Sequence, residues 1–192
     1  MSAGDAFVEL AHRDPTILIC TDLQVQPLGE HRADSRAIIA RCAALLALWR
    51  QELWPVLHLK RIAQAPWFDP ASGLTDWVAE FRPRPGEMVF EHPLPSAYSS
   101  SRFAEYMASM KSVDCLMTGC SLDQTILATA IEGFHRGHRY RVVADAVLHG
   151  HCPDEAGYLT AIVTAIGRFA GTERSSDLLI AAAGGDLTHA RP

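Results

Sequence analysis

The feature that most restricts the fold of this chain is the alternation of short β-branched runs with longer helical patterns. Thr16-Ile-Leu-Ile-Cys-Thr21 is a continuous apolar run of the kind a strand buried on both faces requires. From Ala33 to Trp54, residues Ile38, Cys42, Leu45, Leu46, Trp49 and Leu53 recur at helical spacing, with Arg36, Arg41 and Arg50 between them. Pro55 stops that pattern, and Val56-Leu57-His58-Leu59 begins a second strand. Met88 to Phe90, Val113 to Thr118 and Tyr140 to Ala144 read as further strands. Ser101 to Met110 reads as a short helix with a serine cap at its start, and Gln124 to Arg136 as a helix closed by Gly137. Pro153, followed by Asp154 and Glu155, opens a helix running to about Phe169, and Leu178 to Ala183 fits a last strand or a short helix. Crossovers of this length connect parallel strands. The pattern therefore predicts an α/β fold, a three-layer α/β/α domain with a central, mostly parallel sheet.

Ligands of such sheets sit beyond the carboxyl ends of the strands. Those ends are Asp22, Lys60, His92, Gly119 to Ser121, and Asp145. Between Ala63 and Gly86 the periodicity is lost, and Pro66, Pro70, Gly73, Pro83 and Pro85 mark turns. A stretch this long is more often a functional loop than a passive connection. There is no internal repeat, so the expected organisation is an extension over 1–15, one domain over 16–183 and a polar tail over 184–192.

Composition narrows the partners. A net charge of -5 supplies no basic field for nucleic acid, and a small-molecule partner is expected instead. Cys20, Cys42, Cys115, Cys120 and Cys152 are odd in number and lack CxxC pairing, which suits reduced thiols of a cytoplasmic protein. Met1 to Asp14 has no apolar core of the signal-peptide kind, and no run approaches the roughly 20 apolar residues of a membrane span. No membrane partner is expected.

Four segments together resemble the isochorismatase-like hydrolases. Ile19-Cys-Thr-Asp22-Leu-Gln24 resembles the strand-end aspartate and glutamine that open the family. His92-Pro-Leu-Pro-Ser96-Ala-Tyr98 is similar to a segment in which the family places a lysine four positions before Ser-Ala-aromatic. Thr118-Gly-Cys-Ser-Leu-Asp-Gln-Thr125, running into Ala128-Thr129-Ala130 and Gly133, resembles the strand–Gly–loop–Cys–helix elbow. Tyr140-Arg-Val-Val-Ala-Asp145-Ala146 resembles the strand after it. The resemblance spans Thr16 to Ala183 and implies a Rossmann-like domain, a homo-oligomer (dimer or tetramer) and hydrolysis of a small amide, carbamoyl or ether-like substrate. It implies no cofactor.

Position by position, the resemblance gives Asp22 the acid/base role, His92 the lysine position and Thr125 the position of the nucleophilic cysteine. A threonine hydroxyl is several units less acidic than a thiol and needs a well-placed base. Histidine at 92 is open to two readings: a charged partner of Asp22 or base for Thr125 in an Asp–His–Thr order, and a loop residue satisfied by a backbone carbonyl. The resemblance places Cys120 before a cis peptide bond, as a buried residue, with the N–H groups of Ser121 and Thr125 facing an oxyanion. A shifted loop would present Cys120 as nucleophile. Gln24 and Trp67 are expected beside the substrate, Trp67 with Phe68 and Trp77 as an apolar lid or a subunit contact. Lys60 and Arg61 are either anion ligands or a solvated loop. His149-Gly-His151-Cys152 reads as a polar turn, since it lacks a recognised zinc spacing, and no metal is expected. A catalytically decayed relative serving as a binding or assembly subunit is the competing reading.

Overall fold

A computed structural model describes residues 16–26, 35–63, 65, 68–110, 113–150 and 155–183. The expected extension and tail, Trp67, His151, Cys152, Pro153 and Asp154 lie outside the described residues. Six strands form one sheet in the order β3-β2-β1-β4-β5-β6, with every neighbouring pair parallel. They are β1 (Ile17–Thr21), β2 (Val56–Arg61), β3 (Met88–His92), β4 (Asp114–Gly119), β5 (Arg139–Val147) and β6 (Gly171–Glu173). The helices are α1 (Ser35–Gln51), α2 (Ser101–Ser109), α3 (Leu127–His135), α4 (Glu155–Ile166) and α5 (Ser175–Ala183).

The alternation of side chains along the central strands divides the core in two. Ile17 and Ile19 of β1 point into one layer with Leu57, Leu59, Phe103 and Met107 from α2, and Ile126, Ala130 and Ile166. Leu18 and Cys20 point into the other, with Cys42, Leu45, Leu46 and Trp49 of α1 and Leu178 of α5. Every residue of β1 is buried, which is why it carries no polar alternation. Fully burying one such Leu or Ile contributes roughly 1.5–3 kcal/mol.

Several boundaries differ from the sequence reading. The expected helix from Gln124 begins as a π-type turn over Leu122–Ile126, and the regular helix starts at Leu127. β6 was not expected, while Leu178 to Ala183 resolves as part of α5. Ser100 occupies the N-cap of α2 but makes no side-chain cap bond. The irregular stretch after β2 holds two short 3-10 turns, Pro70–Ser72 and Ala79–Phe81, the second anchored by fully buried Phe81. Among the described residues no helix is long and apolar enough to cross a membrane.

Candidate active site

The strand order reverses direction between β1 and β4, so the crevice beyond their carboxyl ends is where an open parallel sheet of this kind offers a site. Asp22 follows β1 directly and adopts φ 47°, a left-handed conformation that aspartate tolerates better than most residues. Gly119 closes β4 at φ 113°, and a Cβ there would lie 2.3 Å from the Thr21 carbonyl oxygen. Only glycine lets the two strand ends approach this closely. The Cys120–Ser121 peptide bond that follows is cis.

This elbow delivers Thr125 onto Asp22. Thr125 Oγ1 donates to Asp22 Oδ2 at 2.5 Å, and Asp22 Oδ1 lies 2.8 Å from His92 Nε2. All three side chains are almost wholly buried, at 3%, 3% and 0% exposure for Thr125, Asp22 and His92. His92 reaches from the end of β3, two strands away, across the end of β2. Its other nitrogen, Nδ1, lies 2.7 Å from the Leu94 carbonyl. A carbonyl only accepts, so Nδ1 carries a hydrogen, and Nε2 cannot then face a bare carboxylate as a lone pair. One further proton therefore lies on the Nε2–Oδ1 line. The pair has no net charge, and its positive half is on the imidazole whenever Asp22 is ionised.

Both sequence readings of His92 are thus partly realised, since it meets Asp22 and a backbone carbonyl at once. The Asp–His–Thr order is not: Asp22 stands in the middle, and Thr125 bonds to the carboxylate rather than to the imidazole.

The segment after His92 is pinned to α3, the helix that follows Thr125. Ser96 Oγ donates to Glu132 at 2.5 Å, and the Ala97 N–H donates to Thr129 Oγ1 at 3.0 Å. The Tyr98 hydroxyl is 2.6 Å from that of Tyr140. Tyr140 in turn needs Gly133, where a Cβ would come within 2.1 Å of its ring. The Ser-Ala-Tyr triplet and the glycine four residues beyond Thr129 therefore act together to hold Thr125 opposite His92.

The remaining expected site residues are distributed differently. Gln24 is fully buried, and its amide hydrogens go to the carbonyls of Arg61 and Thr75 at 3.1 and 2.9 Å, while its oxygen accepts from the Arg61 N–H at 2.8 Å. These bonds brace the end of β2. Cys120 is fully buried, and its N–H donates to the Thr21 carbonyl at 2.8 Å. Ser121 is half-buried, and among the described residues its N–H is bonded to no backbone carbonyl. Trp77 packs edge-on against buried His58, with ring centroids 5.5 Å apart. His149 Nδ1 lies 2.8 Å from the Gly150 carbonyl. Among the described residues no three His, Cys, Asp or Glu side chains converge to hold a metal.

Arg61, expected with Lys60 as either an anion ligand or part of a solvated loop, lies at the end of β2 near Asp22. It is half-buried, its guanidinium lies 5.5 Å from the centre of the Phe68 ring, and it interacts electrostatically with Asp22. A charged pair just past a strand end reads as surface. Both belong to β2 and are half-buried, and Lys60 meets exposed Glu91 at 3.9 Å.

Residues 16–174 match the isochorismatase domain family. The chain belongs to the isochorismatase family of hydrolases. Solved structures agree with the fold. An isochorismatase from Pseudomonas putida is 18% identical with a TM-score of 0.74, covering 92% of this chain and 98% of its own. A cysteine hydrolase from Pseudomonas syringae pv. phaseolicola is 13% identical with a TM-score of 0.76, covering 88% and 93%. N-carbamoylsarcosine amidase from Thermoplasma acidophilum is 19% identical with a TM-score of 0.63, covering 84% and 96%. No protein with a curated description matches the sequence significantly.

Proposed function

We propose that this isochorismatase-family chain hydrolyses a small amide, carbamoyl or ether-like substrate with Asp22 as its acid/base. The observation that carries the reading is one buried carboxylate receiving both the Thr125 hydroxyl and the His92 imidazole. A hydroxyl needs a base within hydrogen-bond reach to become a nucleophile, and Asp22 Oδ2 meets that condition. For an amide or carbamoyl substrate, Thr125 Oγ1 forms a bond to the carbonyl carbon as its proton passes to Asp22. Asp22 then gives that proton to the departing nitrogen as the C–N bond breaks. Water attacks the resulting ester and passes its proton through Asp22 back to the Thr125 oxygen. The N–H groups of Ser121 and Thr125 supply the oxyanion donors, and His92 balances the charge of Asp22 in place of a lysine. An ether-like substrate would draw on Asp22 as acid alone.

The reading is tested with a panel of small primary amides and N-carbamoyl amino acids, following ammonia release by wild type, Asp22→Asn and Thr125→Val. Wild-type turnover lost in both variants, with an acyl adduct on Thr125 after rapid quenching, is expected. A silent wild type that gains amidase activity only as His92→Lys/Thr125→Cys would overturn it in favour of a decayed binding or assembly subunit.

A further inference from the structure

The charges around the site do not balance. The His92–Asp22 pair is neutral by its hydrogen-bond donors, and Lys60 is matched by Glu91. Arg61 feels the Asp22 carboxylate, but that charge is already taken up by His92. Among the described residues no carboxylate forms an ion pair with it, and its Nε is a buried donor without a hydrogen-bond partner. Buried donors are nearly always paired, so an orphan on a guanidinium is a vacancy with a specific shape.

Its position is fixed independently of its charge. β2 lies between β1 and β3, and Arg61 is paired in register with His92, so their side chains leave the sheet on the same face. Neighbouring strands are about 4.8 Å apart, which puts the Arg61 backbone directly beside the residue that carries the imidazole. Gln24 grips both the N–H and the carbonyl of Arg61, so this strand end is held rather than frayed. The Phe68 ring covers the guanidinium and leaves its edge as the polar face. Burial pulls the guanidinium below its ordinary range while Asp22 holds it up.

We propose that Arg61 is a specificity residue that receives a carboxylate on the substrate, next to the bond being hydrolysed. One unmatched positive charge calls for one negative charge, and the guanidinium edge fits the two oxygens of a carboxylate. The substrate class is therefore a small monoanionic amide or ureido acid. This deepens the hydrolase reading and rests on it for the identity of the site, but it is tested by binding, which needs no turnover.

The probes are two matched pairs, N-carbamoylglycine with its methyl ester and 3-carbamoylbenzoate with its methyl ester. Calorimetric affinities are measured for wild type, Arg61→Met and Arg61→Lys, each confirmed folded by thermal melting. For at least one pair, wild type is expected to bind the acid at least tenfold more tightly than the ester. Arg61→Met should bring the two within a factor of about two, and Arg61→Lys should fall between. Ammonia release from the same pairs should show the preference in KM more than in kcat. A folded Arg61→Met protein that keeps the preference, or a wild type without one, overturns the proposal. Acid-selective binding without turnover would leave Arg61 in its role and reject the hydrolase reading alone.

Discussion

Glu87 allows the packing beneath the site to be tested quantitatively. It accepts from Arg50 Nε at 2.7 Å and Nη2 at 2.9 Å, from His58 Nε2 at 2.8 Å and from the Arg84 N–H at 2.8 Å. The side chains of Arg50 and Glu87 are 11% and 12% exposed, and that of His58 is sealed. Burial pushes the Glu87 carboxyl up, but the Arg50 fork, the Arg84 N–H and His58 outweigh it and bring it from 4.5 to about 2. At about 1.4 kcal/mol per unit, this corresponds to roughly 3 kcal/mol of folding free energy at neutral pH. The folded carboxyl binds its proton more weakly than the unfolded one. Its contribution is therefore complete above about pH 4.5 and drains away as the pH falls towards 2. His58, lowered by burial against the pull of Glu87, adds a separate loss below about pH 6.5.

Glu87→Gln keeps the shape and removes the charge. At pH 7 the melting temperature should fall by roughly 6–12 °C, at about 2–4 °C per kcal/mol for a chain of this size. At pH 3 about three-fifths of the Glu87 contribution has already gone from the wild type, so the gap between the two proteins should close accordingly. Calorimetric melts at pH 7, 5 and 3 provide the measurement. A variant within 2 °C of wild type at pH 7, or a gap that does not shrink in acid, would refute the argument.

Gly119→Ala puts a Cβ 2.3 Å from a backbone oxygen at φ 113°, so it should fold poorly or lose the site, whereas Gly137→Ala, with open space around its Cβ, should cost only the strain of φ 80°; circular dichroism melts compare them. Cys120→Ala should retain turnover and bind no less substrate, because Cys120 is fully buried while Thr125 and His92 are the side chains that meet the two Asp22 oxygens. Loss of an acyl adduct in this variant, with Thr125 intact, would reassign the nucleophile.

What the sequence revealed follows physical pattern length. β1 and α1 were legible because a buried strand and a long amphipathic helix each impose a period over many residues. β6 was not, since Gly171, Thr172 and Glu173 form a three-residue edge strand without an apolar run. The π-type turn at Leu122–Ile126 uses residues that also suit an α-helix, and only the approach of Thr125 to Asp22 distinguishes them. Within the site, Asp22, His92 and Thr125 were legible through the resemblance of their segments to the isochorismatase-like hydrolases. Their order was not, because a hydrogen-bond sequence depends on which strand end a side chain crosses. The bonds of Gln24 and the surroundings of Arg61 were not legible, because a buried amide and a shielded guanidinium carry polar labels that say nothing of where their partners lie.

Thr125 and His92 act through the same carboxylate, so their effects should not be independent. In the wild type, Asp22 has a hydroxyl donor on one oxygen and an imidazole on the other. His92→Phe removes the balancing charge and leaves a buried carboxylate dependent on the single Thr125 bond, at a cost of about 3–5 kcal/mol. Thr125→Val in the wild type removes one charge-assisted bond, worth about 1.5–3 kcal/mol. In the His92→Phe background the same substitution strips the other side-chain donor that Asp22 has among the described residues, so the stability loss should exceed the sum of the two single losses. Turnover should depart from additivity in the opposite sense. Once the acid/base group is displaced, a missing nucleophile costs little more, as for any residues that work as one unit. A coupling of about 0.5–3 kcal/mol of opposite sign in melting and in kcat/KM is therefore expected. Two side chains that merely packed beside each other would give additivity in both measurements, and that outcome would separate the buried network from the chemistry assigned to it.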